Sequence, residues 1–105
     1  MMIFKTDDPE SCGIVELDER GVVVGYYEKT EYSHGNLANG AVYIFNKSVF
    51  SELRNMNISE ISTELIKKYI GNINAWESNS YFCDIGVESR YKQTCTWVEQ
   101  NSEYG

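Results

Sequence analysis

Two short segments with the composition of β-strands, joined by a turn, constrain the fold of this chain most. Residues 13–18 (GIVELD) alternate between apolar and acidic side chains in their second half, and residues 22–27 (VVVGYY) combine β-branched and aromatic side chains. Both patterns are typical of strands. The residues between them, 18–21 (DERG), have the composition of a tight turn. The sequence therefore predicts a β-hairpin.

The following third of the chain is predicted to add one strand and two helices. After a loop over residues 30–39, the apolar run 41–45 (AVYIF) predicts a strand that is buried on both faces. The spacing of apolar residues predicts helices over 46–55 and 59–70. Gly71 has the residue type that most often follows the last turn of a helix, so we expect the second helix to end there.

The last third is predicted to contain a strand, an extended piece and a final helix. The strand covers residues 73–77, and the extended piece covers 81–85. The helix runs from Val87 towards the C-terminus, and its inward-facing stripe is predicted to be Tyr91, Cys95 and Val98. The element order β-β-β-α-α-β-α indicates an α/β or α+β unit with a mixed sheet and flanking helices. A chain of 105 residues is long enough for one domain with one modest core.

Charge and cysteine content exclude several classes of protein. The formal net charge is -7 and there is no basic stripe, which argues against nonspecific nucleic-acid or anionic-membrane partners. No apolar run approaches the roughly 20 residues of a membrane span, and the N-terminus lacks the pattern of a signal peptide. The cysteines are odd in number, and none is part of a C-x-x-C motif. We therefore expect reduced thiols, a cytoplasmic location and no zinc site.

Two polar pairs stand at predicted strand ends. Glu28 and Lys29 follow the second strand, and Asn39 and Gly40 precede the third. The simplest interpretation is a solvated rim for the first pair and turn geometry for the second. The functional alternative is that the Glu28 carboxylate accepts hydrogen bonds from sugar hydroxyls while Lys29 offers a charge to a phosphate. The backbone at Gly40 and the amide of Asn39 would then approach the same ligand.

Asp84 also allows two interpretations. It lies between the aromatic residues Tyr81 and Phe82 and the predicted helix at Val87, where an acidic residue can cap a helix. A carboxylate at the carboxyl end of a strand is equally a suitable Mg²⁺ ligand, because Mg²⁺ sites use one or two carboxylates together with phosphate oxygens.

The order and spacing of these motifs resemble the sugar-phosphate nucleotidyltransferases, over about residues 3 to 95. These enzymes join a sugar 1-phosphate to a nucleoside triphosphate, forming an NDP-sugar and pyrophosphate. The variety that the chain resembles most is the bacterial mannose- or heptose-1-phosphate guanylyltransferases. Four segments resemble family motifs: CGIVELDERGVVVGYYEK (12–29), LANGAVYIF (37–45), ISTELIKKYIGNINAW (61–76) and YFCDIGVESRY (81–91).

The resemblance implies a Rossmann-like fold of the GT-A type and roles for six residues. Contacts to the sugar and its phosphate are implied for Glu28 and Lys29, and a close backbone approach to the sugar is implied for Gly13. Asn39 and Gly40 would line the same pocket. Asp84 would be the second of two acids that bind Mg²⁺, and no residue of this chain is assigned a role as a covalent nucleophile.

The chain departs from the family pattern in three ways. Thr30 replaces the proline that follows the lysine, and Val87 replaces the threonine that follows the last glycine. The family's Gly-rich nucleotide loop, Gly-Gly-x-Gly-Thr-Arg-Leu, does not occur in this sequence, nor does the first metal-binding acid, which accompanies that loop. We therefore expect residues 1–105 to form a single domain that corresponds to the C-terminal, sugar-phosphate-binding part of such an enzyme.

Three expectations follow from that resemblance. The chain alone should lack transferase activity, and either it is a truncated part of a longer enzyme or a nucleotide-binding partner chain supplies the other half of the site. Without that half, an exposed strand edge and an apolar face that includes Val42, Ile44 and parts of 22–24 should promote homo-oligomers. The alternatives are a non-catalytic module that binds sugar phosphate or regulates a related enzyme, and an interaction domain in which the motif residues have no remaining role.

Overall fold

A mixed five-stranded sheet forms the centre of the protein. The computed structural model describes residues 1–28, 35–56, 59 and 64–101. The strands of the sheet are β1 (Met2–Lys5), β2 (Ile14–Leu17), β3 (Val23–Tyr27), β4 (Leu37–Asn39) and β5 (Trp76–Glu77). Their order across the sheet is β3-β2-β4-β1-β5. Only the β1–β5 pair is parallel and the other neighbours are antiparallel, so the mixed sheet that the sequence predicts is confirmed.

The predicted hairpin is the pair β2–β3. The register places Ile14 opposite Tyr27, and the Gly21 N–H donates to the Asp18 carbonyl at 3.1 Å to close the turn. The Asp18 carboxylate accepts hydrogen bonds from the backbone N–H groups of Val22 and Arg20. These bonds favour the ionised carboxylate, and the one from Val22 contributes most to lowering the pKa of Asp18.

One segment, residues 71–77, joins the two edges of the sheet. The Val23 N–H donates to the Ile73 carbonyl and the Gly71 N–H donates to the Val23 carbonyl, both at 2.8 Å. The end of the same segment is β5, in which Trp76 pairs with Met2. Because β3 and β5 are the outer strands, the sheet must curve to bring both of them to this segment.

Three α-helices are present in the described residues: α1 (Lys47–Arg54), α2 (Ile66–Tyr69) and α3 (Glu88–Gln100). Asn46 caps α1, because its side chain accepts a hydrogen bond from the Ser48 N–H. Gly71 follows α2 with a φ of 94°, as predicted for the residue that ends this helix. The earlier part of the predicted second helix, at residues 60–63, lies outside the described residues. None of the described helices has the length and apolar character needed to cross a bilayer.

The structure corrects the prediction for residues 41–45. Strand β4 lies before them, within the predicted loop, and 42–45 belong to no strand of the described sheet. Ala41 has a φ of 58°, a left-handed conformation that turns the chain at the end of β4. Val42 is 45% exposed and Ile44 is 83% exposed, so this run is not buried on both faces. An apolar composition alone could not reveal the turn at Ala41.

The inner face of α3 also differs from the prediction. Tyr91 is 55% exposed and Cys95 is exposed, whereas Val98 is half-buried as expected. The less exposed side instead carries Arg90 and Trp97, which pair with Asp8 and Tyr81 respectively. This side faces polar and aromatic partners outside the main core, so the spacing of apolar residues did not identify it.

Buried side chains lie on both faces of the sheet, because the neighbouring residues Ile14 and Val15 of β2 are both buried. The main core cluster consists of Met1, Ile3, Val15, Val23, Tyr26 and Ile66, the last of them from α2. Ile14, Ala38 and Leu65 are buried outside this cluster.

Candidate functional site

Three of the sequence-predicted residues lie side by side at one end of the sheet. The pairing of Ile14 with Tyr27 brings the preceding Gly13 opposite Glu28. On the other side of Gly13, the Asn39 N–H donates to the Gly13 carbonyl at 2.9 Å. Glu28, Gly13 and Asn39 therefore form a row across β3, β2 and β4, called the sheet-end row below.

Tyr26 explains why position 13 requires glycine. A Cβ atom at Gly13 would overlap the Tyr26 ring, with its ring carbon Cζ only 2.7 Å away. Tyr26 is 7% exposed and belongs to the core, so it has little freedom to move. The glycine thus allows the backbone of β2 to pass closely over a buried aromatic ring.

Gly40 packs against β1. Its N–H donates to the Met2 carbonyl at 2.9 Å, and an added Cβ would meet the same carbonyl oxygen at 3.3 Å. A Cβ would also lie 3.7 Å from Phe4 Cδ1. Gly40 is buried, so its lack of a side chain serves the packing of β4 on β1.

Tyr43 fixes the orientation of the Asn39 amide. The Asn39 Nδ2 donates to the Tyr43 hydroxyl at 2.7 Å, and the Asn39 Oδ1 accepts from the Ala41 N–H at 2.9 Å. With both ends of the amide engaged, the side chain has a single orientation. Tyr43 itself is half-buried and packs against the core.

The Glu28 carboxylate lies close enough to Tyr43 to influence its titration. Burial is the main cause that raises the pKa of Tyr43, and the negative charge of Glu28 raises it further, against the opposing effect of the hydrogen bond from Asn39. The Glu28 Oε1 atom is buried. The sequence analysis assigned roles to Glu28 and Asn39 but none to Tyr43, which bonds to Asn39 and is influenced by the charge of Glu28. Lys29 lies outside the described residues.

Asp84 lies in a different environment. It is exposed, and its Oδ1 atom accepts a hydrogen bond from the Gly86 N–H at 2.9 Å. The surrounding residues 81–87, called the Asp84 segment below, have no regular strand, so the predicted extended piece is not part of the sheet. Val87 precedes α3 in the cap position, and Asp84 makes no cap bond to this helix.

Aromatic contacts attach the Asp84 segment to the rest of the protein. Phe82 packs on Phe4 of β1 with ring centroids 4.5 Å apart, and Tyr81 stacks on Trp97 of α3 at 4.2 Å. After Met2, Phe4 is the β1 residue nearest to Gly40. Phe4 therefore connects the sheet-end region to the Asp84 segment, a link that the short apolar start of the chain did not predict.

Within the described residues, Asp84 is the carboxylate that the sequence predicts as a metal ligand. Asp84 uses one carboxylate oxygen in its bond to Gly86, which leaves Oδ2 available at the surface. The described part of the chain contains no cluster of three or more His, Cys, Asp or Glu side chains that could hold a metal ion. Asp84 could therefore donate one ligand to Mg²⁺, whose other ligands would come from phosphate oxygens, water or further protein groups.

Two cavities adjoin the candidate site. The larger has a volume of about 500 Å³ and meets the sheet-end row at Tyr43. The smaller, of about 320 Å³, is bounded by Lys5 and Glu77 and by residues 78–82, immediately before Asp84. The larger is mainly aromatic and aliphatic, and the smaller has the more polar lining.

A protein-family model described as nucleotidyl transferase matches residues 1–101 of the chain. Individual proteins that match include the bifunctional protein GlmU of Methanocaldococcus jannaschii, 32% identical over 90 residues. The D-glycero-alpha-D-manno-heptose 1-phosphate guanylyltransferases of Aneurinibacillus thermoaerophilus and Campylobacter jejuni are 35% identical over 86 residues and 31% identical over 94 residues.

These alignments include most of this chain but less than half of each relative. They cover 80%, 76% and 87% of the chain, taken in the same order. The corresponding shares of the relatives are 22%, 34% and 41%. The chain therefore spans between about a fifth and two fifths of the length of these proteins.

Proposed function

The chain belongs to the nucleotidyl transferase family, and on that premise we propose that it provides the sugar 1-phosphate-binding part of a nucleotidyltransferase. The complete reaction would transfer a nucleotidyl group from a nucleoside triphosphate to the sugar 1-phosphate and release pyrophosphate. The heptose 1-phosphate guanylyltransferases among its relatives support a sugar 1-phosphate as the substrate. We place this activity in the cytoplasm, in line with the reduced cysteines that the sequence predicts.

The observation that carries the proposal is the sheet-end row. Glu28, Gly13 and Asn39 come from three strands yet lie next to one another at the same end of the sheet. A carboxylate and an oriented amide side by side suit a sugar, because hydroxyl groups both donate and accept hydrogen bonds. Tyr43 supports this arrangement by holding the amide in one orientation.

In this proposal the Glu28 carboxylate accepts hydrogen bonds from sugar hydroxyls, and Asn39 is positioned for a further contact. Gly13 and Gly40 keep the backbone close to the ligand, and Lys29 neutralises the phosphate. These roles leave the acceptor phosphate oriented for an in-line attack on the α-phosphorus of the nucleotide. Orientation and charge neutralisation are sufficient, so no covalent intermediate on the protein is required.

Asp84 would be the chain's ligand to Mg²⁺, which when bound would neutralise phosphate charge. The Gly-rich loop for the triphosphate has no counterpart in this sequence, so we propose that another polypeptide segment provides it. The purified chain, mixed with mannose 1-phosphate, GTP and Mg²⁺, should then release no pyrophosphate. Release of pyrophosphate by the pure chain at an enzymatic rate would contradict this division of roles.

Calorimetric titration with mannose 1-phosphate tests the acceptor site directly. We expect saturable binding that weakens about tenfold in Glu28→Gln, since a hydrogen bond to a charged group is lost. We expect Lys29→Ala to abolish binding. Glu16→Gln is the matched control, because Glu16 lies on the neighbouring strand and its carboxylate accepts from the Tyr27 hydroxyl at 2.9 Å. Equal weakening in both glutamine variants, or no binding by the unmodified chain, would contradict an acceptor site.

A second candidate function is a non-catalytic module that binds sugar phosphate or regulates a related enzyme. Binding of sugar phosphate that persists without any activity, even after nucleotidyltransferase chains from the same cell are added, would support the module over the enzyme part.

A further inference from the structure

The ion pair between Arg90 and Asp8 joins two parts of the chain that are 82 residues apart. The Arg90 Nη2 donates to the Asp8 Oδ2 at 3.1 Å. Arg90 lies in the first turn of α3, shortly after the Asp84 segment, and Asp8 lies in the connection between β1 and β2. The pair therefore links the neighbourhood of the candidate metal ligand to the part of the chain that leads into the sheet-end row.

Local helix rules explain neither member of this pair. The N-terminal turn of a helix carries a partial positive charge, which disfavours a positive side chain there, yet Arg90 is in the first turn of α3. Asp8 precedes a single 3-10 turn, Pro9–Ser11, in the position where an aspartate usually caps a helix. Among the described residues its carboxylate accepts no cap bond, and it binds Arg90 instead. Both residues are thus placed for their contact with one another.

Backbone hydrogen bonds hold Asp8 in place relative to Gly13. The Asp8 carbonyl accepts from the Ser11 N–H at 3.2 Å. The Cys12 N–H then donates to the Pro9 carbonyl at 3.3 Å, immediately before Gly13. The connection from Asp8 to the sheet-end row is therefore a short, hydrogen-bonded turn.

Arg90 lies close to Asp84 in space as well as in sequence. The Cys83 Sγ atom is 3.9 Å from the Arg90 carbonyl oxygen and 3.9 Å from the Asp84 carbonyl oxygen. The Gly86 N–H donates to the Asp84 carboxylate shortly before α3 begins. A shift of Arg90 would therefore move Asp84 with it.

Two contacts in different places attach the Asp84 segment and α3 to the β1 side of the protein. Tyr81 stacks on α3, so the segment and the helix move as one unit. Phe82 attaches this unit to Phe4 of β1, and Arg90 attaches it to the connection that follows β1. One contact alone would leave the unit free to pivot, whereas the two together restrict that motion.

On the basis of the function proposed above, we propose that Arg90 and Asp8 are positioning residues, which hold the Asp84 carboxylate in one arrangement relative to the sheet-end row. Mg²⁺ demands near-ideal octahedral geometry, so a ligand on a loosely held segment suits it less well. The two side chains are 32% and 41% exposed, and ion pairs this exposed contribute little to stability. Loss of the pair should therefore change the order of the Asp84 segment more than the stability of the fold.

Backbone ¹⁵N relaxation of the unmodified chain and of Arg90→Gln tests the positioning directly. We expect the order parameters of the Ile85 and Gly86 amides to be about 0.85 in the unmodified chain and to fall below about 0.6 in Arg90→Gln. Lys92→Gln is the matched control, because it removes the same charge from the same helix, where Lys92 pairs with Glu88 at 2.9 Å on an exposed surface. It should leave both order parameters unchanged.

A charge-reversed double variant, Asp8→Arg with Arg90→Asp, separates the ion pair from a general effect of substitution. It restores a pair of opposite charges, so the order parameters of Ile85 and Gly86 should recover towards those of the unmodified chain. Unchanged order in Arg90→Gln, equal losses in Arg90→Gln and Lys92→Gln, or no recovery in the double variant would overturn the inference.

Calorimetric titration with mannose 1-phosphate, with and without Mg²⁺, measures the consequence for the candidate site. Added Mg²⁺ should tighten binding to the unmodified chain, and Arg90→Gln should lose most of that gain while its affinity without Mg²⁺ stays the same. An equal gain in both proteins would overturn the positioning role. No binding by the unmodified chain would instead contradict the proposed function, and the order parameters would still decide whether the ion pair holds the Asp84 segment.

Discussion

The sheet-end row and the Asp84 segment both contain residues of the candidate site, but different kinds of contact hold them. Backbone hydrogen bonds across three strands join the members of the row, and Tyr43 holds the Asn39 amide at 2.7 Å. The Asp84 segment has no strand partners and is attached by the aromatic contacts of Tyr81 and Phe82. Substitutions in the row should therefore change stability as well as binding, whereas substitution of Asp84 should change function alone.

The largest expected effect is at Gly13. Gly13→Ala would place a Cβ atom 2.7 Å from Cζ of the buried Tyr26 ring, so the ring or the strand must shift. We expect a loss of about 2–3 kcal/mol in the free energy of unfolding, measured by urea denaturation. Adding Tyr26→Leu should recover part of this loss, because the smaller side chain relieves the overlap. Additive effects of the two substitutions would show that the contact does not restrict position 13.

A smaller effect is expected in the pH dependence of stability. Burial and the Glu28 charge raise the pKa of Tyr43, so the folded protein keeps this proton at pH values where the unfolded chain has lost it. Stability from this group is complete below the unfolded value of about 10 and is lost as pH rises through the folded pKa. Tyr43→Phe should therefore reduce the decline in thermal stability above pH 10.

Tyr69→Phe is the comparison for that measurement. The pKa of Tyr69 is also raised, but its main cause is the hydrogen bond to the Glu52 carboxylate, which joins α2 to α1 away from the row. Tyr69→Phe should leave unchanged the part of the alkaline decline in stability that Tyr43 causes. An alkaline decline that is identical in unmodified protein and Tyr43→Phe would contradict the burial of this hydroxyl beside Glu28.

The smallest effect on stability is expected at Asp84. Asp84→Asn preserves the oxygen that accepts from the Gly86 N–H, and the side chain is exposed, so the free energy of unfolding should change by less than about 0.5 kcal/mol. In a complete enzyme that contains the equivalent nucleotide-binding part, the same substitution should greatly reduce Mg²⁺-dependent turnover. A stability loss as large as that of Gly13→Ala would remove the distinction between the two regions.

The sequence predicted most accurately the elements that carry strong local signals. The β2–β3 hairpin has β-branched residues on both sides of a turn that begins at Asp18, and it occurs at the predicted positions. The start of α1 after Asn46 and the end of α2 before Gly71 follow equally local rules. Such elements depend on residues close together in the chain, so a single sequence contains the necessary information.

Features that depend on distant contacts were not predicted. Strand β1 (Met2–Lys5) is too short for a pattern of its own and exists because it pairs with β4 and β5. The inward side of α3 is determined by Tyr81 and Asp8, so apolar spacing gave the wrong stripe.

For the candidate site, the sequence singled out Gly13, Glu28 and Asn39, and the structure places them next to one another. Their roles towards a sugar phosphate stay predictions. The contact between Tyr43 and the Asn39 amide could not be predicted from the sequence, although a tyrosine within an apolar run was a usable signal. The assignments of Lys29 to phosphate and of Asp84 to Mg²⁺ stay predictions.

The most direct test of the central claim is an NMR titration of the ¹⁵N-labelled chain with mannose 1-phosphate. The account predicts saturable amide shifts centred on Gly13, Asn39 and Tyr43, and their loss in Glu28→Gln at the same ligand concentration. Absence of saturable shifts, or shifts confined to the larger cavity around Ile66 and Trp76, would contradict a sugar-phosphate site at the sheet-end row.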